Sequence, residues 1–132
     1  MSTFKSIEEA REHYKDDKFA TGAGVYIEEL SDGYCKCSMR LDERHRNAIG
    51  GIMGGAIFTV ADLAFSAASN NIHQPTVAQQ VSMNFMSTVN GDTLIAEAKC
   101  KKDGRSSCVY NVDVTDNTGR GIAQFVATGF KL

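Results

Sequence analysis

The sequence predicts an α+β fold in which an antiparallel sheet wraps around one long central helix. Two observations carry this expectation. A single Ala-rich apolar run of helical length sits mid-chain, and on both sides of it apolar and polar residues alternate with the period of half-buried strands. A sheet of that kind hides one face on the helix and leaves its edges bare, which predicts a homo-oligomer with a two-fold dimer as its minimal unit. With 132 residues, 42% of them hydrophobic, and one Pro, the chain fits a single domain over 1–132, its first 20 residues forming an accessory helical segment.

Each element has its own signal. Ile7, Ala10 and Tyr14 stand at helical spacing, preceded by Ser6 as a cap with Glu9 three positions later. Val25 to Leu30 is extended, and Ser31-Asp32-Gly33 supplies a turn. Cys35, Cys37, Met39 and Leu41 then alternate with Lys36, Ser38 and Arg40, completing a hairpin with one buried face. After the polar loop 42–47, the run GGIMGGAIFTVADLAFSAASNN is too long and too rich in Ala for a strand. A period of 3.6 places Ile57, Val60, Ala61, Ala64, Phe65 and Ala68 on one stripe, and Phe58 and Leu63 extend the apolar surface, so protein is expected on most sides of this helix. Alternation returns at Val81, Met83 and Phe85, at Leu94 to Cys100, and at Cys108 to Val114. These strands are separated by Asn90-Gly91-Asp92 and Lys102-Asp103-Gly104-Arg105, and Asp116-Asn117-Thr118-Gly119 leads into a last strand over 122–130.

Composition excludes several classes of function. A net charge of −2 with dispersed Lys and Arg offers no extended basic surface for nucleic acid. The charged N-terminal stretch excludes a secretory leader, no apolar run is long enough to span a bilayer, and a cytoplasmic location is expected. Cys35 and Cys37 form a Cys-x-Cys pair, while Cys100 and Cys108 stand eight positions apart. Neither spacing suits a zinc knuckle, and no metal is expected. His45 and His73 are read as surface or loop residues.

The chemistry centres on Asp62, the one ionisable side chain between Gly54 and Ser69. A carboxylate in such an apolar stretch is costly without compensation, so it either serves a reaction, bonds a backbone group or faces a subunit interface. Ser66 lies one turn beyond it on the same face. Gly54-Gly55 sits two turns before it, where unpaired helix N-terminal amides can polarise a carbonyl and stabilise an oxyanion; alternatively the glycines simply turn the chain into the helix. No G-x-S-x-G elbow is present, and no Ser or Cys has a His at triad spacing. The turn Lys101 to Ser107 offers cations and hydroxyls for phosphate groups, Arg105 foremost, or is a solvated hairpin tip.

The pattern N-x-x-G-x-x-M-G-G-A-x-F-x-x-A-D-x-A-F, running from Asn47 to Phe65, resembles the central segment of hotdog-fold acyl-CoA thioesterases related to the phenylacetate-pathway enzyme. The resemblance extends through VSMNFMSTVNGDTLIAEA to the C-terminus. It implies hydrolysis of acyl-CoA to free acid and CoA, with Asp62 as general base or nucleophile and the Gly54 amide polarising the thioester carbonyl. It also places Asn47 near the thioester or its attacking water, Ser66 near the acid, and Gly55 beside the substrate. The resemblance further implies a homodimer or homotetramer whose sites lie between subunits, the acid and the amide donors coming from opposite copies, with no cofactor beyond the substrate's own CoA.

One departure stands out. The family usually reads His-Gly-Gly where this chain has Met53-Gly54-Gly55, and Met offers neither the imidazole's hydrogen bonds nor its proton chemistry. Met53 is expected instead to pack against the acyl group, its thioether being apolar and adaptable. The alternative is a protein of the same fold that binds acyl-CoA without turning it over.

Overall fold

A computed structural model describes residues 1–132. The N-terminal segment holds two short helices rather than the one expected. The first, α1 (Ile7–Tyr14), is capped by Ser6, whose Oγ accepts the Glu9 N–H at 3.1 Å. The second, α2 (Lys18–Gly22), starts at Asp17, whose carboxylate accepts the Ala20 N–H at 3.1 Å. Both caps satisfy amide donors that a helix start leaves open.

Strand β1 (Val25–Ser31) turns into β2 (Tyr34–Arg40) through Asp32-Gly33. Gly33 adopts φ of 73°, and a Cβ there would sit 2.9 Å from that of Cys100, so both conformation and space demand glycine. A 3₁₀ turn (Glu43–His45) and a loop lead to helix α3 (Gly54–Ile72). Strands β3 (Thr76–Phe85), β4 (Thr93–Asp103), β5 (Ser107–Asp116) and β6 (Gly121–Lys131) complete one antiparallel sheet in the order β1-β2-β4-β5-β6-β3. The chain therefore leaves β2 near one edge, crosses the sheet as α3 and returns at the opposite edge.

The alternation seen in the sequence decides which side chains meet the helix. Cys35, Cys37 and Met39 of β2, Leu94, Ala96 and Ala98 of β4, and Val112 and Val114 of β5 are buried. Ala-rich positions on both partners let α3 lie close to the sheet, and the helix touches all six strands. The expected stripe from Ile57 to Ala68 is buried, as are Leu63 and Ala67. Phe65 meets Tyr110 edge to face at 5.4 Å between centroids, a contact worth about 0.5–1.5 kcal/mol beyond the area it buries. Phe58 departs from expectation: its ring meets Phe125 of β6 edge to face at 5.3 Å between centroids, yet it remains 37% exposed.

Two features mark the margins of the sheet. Strand β3 is an edge strand, with Val77 and Phe85 exposed along it, and a bulge between Ala78 and Gln80 interrupts its ladder to β6. Asp116 is 1% exposed and holds together the ends of two loops. One oxygen accepts the N–H groups of Asn90 and Gly91 at 2.8 and 3.0 Å, the other those of Thr118 and Arg120 at 2.9 and 3.2 Å. Against the upward pull of burial, the Thr118 hydroxyl, which also donates to Asp116, and the N–H groups of Asn90, Gly91 and Thr118 hold the carboxyl below the usual carboxylate range. No helix is long and apolar enough to cross a membrane.

Candidate active site

The start of α3 borders a cavity of about 580 Å³. Its walls come from the loop before the helix, including Arg46 and Asn47, from Gly54 and Ile57, and from the segment Phe85–Val89 beyond β3. Helix α3 begins without a side-chain cap, since Met53 occupies the N-cap position. Its carbonyl accepts the N–H groups of Ala56 and Ile57, but those of Gly54 and Gly55 have no partner within the chain. These two amides and the helix dipole form a patch of positive potential at an apolar opening. Gly54 also leaves room for Phe85: a Cβ there would lie 3.3 Å from the Phe85 Cζ.

Asn47 is fixed beside this opening by its own loop. Its Oδ1 accepts the N–H groups of Ile49 and Gly51 at 3.1 and 3.0 Å, and its backbone N–H donates to Gly51 O at 2.8 Å. Those two donors settle which amide atom is oxygen and leave the side-chain NH₂ as the free end. Asn47 can therefore donate to a carbonyl; its oxygen is already occupied.

The loop is secured by a residue that the sequence placed at the surface. His45 is 2% exposed, with Nδ1 accepting the Asp42 N–H at 2.9 Å and Nε2 donating to Ala23 O at 2.6 Å. Its own carbonyl accepts the Met53 N–H at 2.8 Å, tying the residue before Gly54 to the loop carrying Asn47. Burial follows from these three bonds, two of them to backbone groups remote from any motif. His73, at the other end of α3, is half-buried and bonds the terminal Leu132 carbonyl.

The remaining predicted residues lie outside this cavity. Asp62 is half-buried on α3 and makes no hydrogen bond or ion pair within the chain. Burial raises its carboxyl above the ordinary range, and the Asp17 carboxylate adds to the shift. It lies eight residues from Gly54, about 12 Å along the helix axis. Ser66, one turn further, shares a hydrogen bond of 2.9 Å with the Tyr14 hydroxyl. Met53 is 53% exposed and folds back over Gly55 outside the cavity, its Cε 3.1 Å from where a Gly55 Cβ would stand. Arg105 lies exposed at the β4–β5 tip, at the end of the sheet opposite Phe85. The sequence missed Phe85–Val89 as a cavity wall: β3 stops alternating at Phe85, and no pattern announces where the next residues go. It also missed Arg46 and Tyr14.

A family model described as the thioesterase superfamily matches residues 49–123, which include the start of α3 and Asp62. The chain belongs to the thioesterase superfamily. A putative esterase of Archaeoglobus fulgidus is 34% identical over 90% of this chain and 78% of its own length. The acyl-coenzyme A thioesterase PaaI of Escherichia coli is 27% identical over 92% of this chain and 87% of its own. The solved structure of E. coli PaaI superimposes with a TM-score of 0.88 at 26% identity, covering 93% of this chain and 90% of that one. A hypothetical thioesterase from Streptococcus pneumoniae, solved with coenzyme A, gives a TM-score of 0.81 at 27% identity, covering 89% and 94%. The sheet wrapped around α3 is the hotdog fold of these proteins.

Proposed function

We propose that this thioesterase hydrolyses acyl-CoA to free acid and CoA at a site assembled from two copies of the chain. The separation of the groups on α3 carries the proposal. Free amide donors stand at its first turn and an unpartnered carboxylate about 12 Å further along, beyond the roughly 3–3.5 Å at which reacting atoms must meet. Within one chain the carboxylate cannot serve a carbonyl held at Gly54, so each copy supplies half a site. The exposed edge of β3, flanked by Val77, Phe85 and Met86, supports pairing through that edge into a homodimer, with a homotetramer as its doubled form. The names of the relatives, and the CoA bound in the pneumococcal protein, support the substrate class.

The Gly54 N–H and the Asn47 NH₂ of one copy draw electron density onto the thioester oxygen. Asp62 of the other copy takes a proton from water as its oxygen bonds to the carbonyl carbon, and the π pair moves to the oxygen held by the donors. Collapse of that oxyanion breaks the C–S bond, and the thiolate recovers the proton from Asp62. The carboxylate can alternatively attack the carbonyl carbon itself, breaking the C–S bond and expelling the thiolate; water then opens the mixed anhydride to the free acid and the Asp62 carboxylate, and its proton goes to the thiolate. Met53 stands outside the cavity, so polarisation falls on Gly54 and Asn47. Arg46 offers the cavity a cation for the CoA arm. The reaction needs only water and the substrate's own CoA, and three buried free thiols suit a reducing, cytoplasmic setting.

The test is free-thiol release from aryl, short-chain and medium-chain acyl-CoAs by the wild-type protein and Asp62→Asn. Turnover by the wild type alone is expected. Equal rates in the two would remove Asp62 from the mechanism.

A further inference from the structure

Three hydroxyl side chains lie within α3, and one behaves differently. Thr59 and Ser69 each donate to the carbonyl four residues back, at 2.7 Å to Gly55 and 2.8 Å to Phe65. That is the usual arrangement for a hydroxyl inside a helix. Ser66 makes no such bond to Asp62. Its Oγ instead meets the Tyr14 hydroxyl at 2.9 Å, and the Asn70 Nδ2 approaches the same atom at 3.5 Å. Tyr14 belongs to α1, 52 residues away in sequence, and is 8% exposed. Its hydroxyl has no other partner in the chain.

Of the two hydroxyls, the phenol is the stronger acid and hence the better donor. Both protons of the nearby Asn70 amide go to backbone carbonyls, those of Ser66 and Thr76, at 2.9 and 3.0 Å, so the phenol is the donor that Ser66 Oγ accepts. As the acceptor in that bond, Ser66 keeps its own proton free, one turn from Asp62 on the same face of α3.

We propose that Tyr14 is a positioning residue for hydrolysis: it turns the Ser66 hydroxyl so that its proton donates to the attacking water beside Asp62. This rests on hydrolysis at a site shared by two copies and makes the N-terminal helix part of that site. A hydroxyl set in that direction beforehand orients the water at no further entropic cost during reaction. Deleting the phenol oxygen lets Ser66 fall back onto the Asp62 carbonyl, as Thr59 and Ser69 do with theirs.

Tyr14→Phe tests this without disturbing the ring's packing against Phe4 and His13. Thiol release by the full-length protein is compared among wild type, Tyr14→Phe, Ser66→Ala, the double variant and Asp62→Asn, with melting curves for each. The expected result is an approximately tenfold fall in kcat for Tyr14→Phe with KM little changed, the loss of one good hydrogen bond. The double variant should then match Ser66→Ala. Unchanged kcat in Tyr14→Phe, or losses that multiply in the double variant, would overturn the proposal. Asp62→Asn separates the two levels. Its inactivity upholds the hydrolytic reading whatever Tyr14 does, whereas full activity removes that reading and this proposal with it.

Discussion

Replacing Gly54 with proline puts a ring methylene in place of one N–H at the proposed oxyanion site without removing a structural hydrogen bond. Gly54 is the first residue of α3, a position that accepts proline because its N–H has no intrahelical acceptor. Here that N–H has no partner anywhere in the chain, so no structural bond is lost. Met53 before it, at φ −62° and ψ 133°, already has the extended conformation that proline imposes on its predecessor. The new Cβ would stand 3.3 Å from Phe85 Cζ, and that side chain is 57% exposed and free to give a few tenths of an ångström. Restricting the unfolded chain stabilises by about 0.4–1 kcal/mol, which the Phe85 contact offsets in part, so Tm should stay within a few degrees. Catalysis should fall by about 10²–10³ in kcat, the cost of one oxyanion donor. Gly54→Ala makes the same contact with Phe85 but keeps the N–H, so the informative quantity is the kcat ratio of the Ala and Pro variants, read by thiol release. Equal kcat in these two variants, both folded, would refute the role of the Gly54 amide.

Three further outcomes are expected from the same geometry. Co-expressing Gly54→Pro with Asp62→Asn should restore about a quarter of wild-type activity, because half the dimers then carry one intact site of two; two inactive partners that stay inactive when mixed would place the whole site in one chain. Burial raises the Asp62 carboxyl, so the native state binds more protons than the unfolded chain between the two pKa values, and stability from this group falls as pH rises through that window. Asp62→Asn should therefore raise Tm at pH 7, with the gain vanishing below about pH 4, as thermal melts across that range would show. Asp116 has the opposite sign: its lowered pKa contributes stability above about pH 4 that is lost as pH falls. Asp116→Asn should cost about 2–4 kcal/mol at pH 7, and an unchanged urea midpoint would deny the carboxylate its structural part.

The strands of the buried sheet interior were legible because each puts alternate residues on α3, leaving a period of two in the sequence. The first half of β3 was not. Thr76–Gln80 runs at an edge where four of five side chains are exposed, and no alternation is required there. Helix α2 is too short to show a period; its one cue was Asp17 as a cap. Within the site, Asn47 and Gly54 stand close in sequence and meet at one cavity, so a motif could find both. The bond from Tyr14 to Ser66 and that from His45 to Ala23 were not legible because their partners lie 52 and 22 residues away in sequence. Asp62 was visible as a lone charge in an apolar run. Its distance from the Gly54 amide follows from helix rise alone, and on the proposed mechanism that distance calls for a shared site.

The bulge in β3 bears on a hazard that every exposed edge carries. A straight ladder of free N–H and C=O groups would accept almost any extended segment in a crowded cell. The kink between Ala78 and Gln80 breaks that ladder into two short stretches and adds local twist. A straight foreign strand can satisfy one stretch only by leaving the other unmet. The irregularity thus guards the edge against promiscuous pairing.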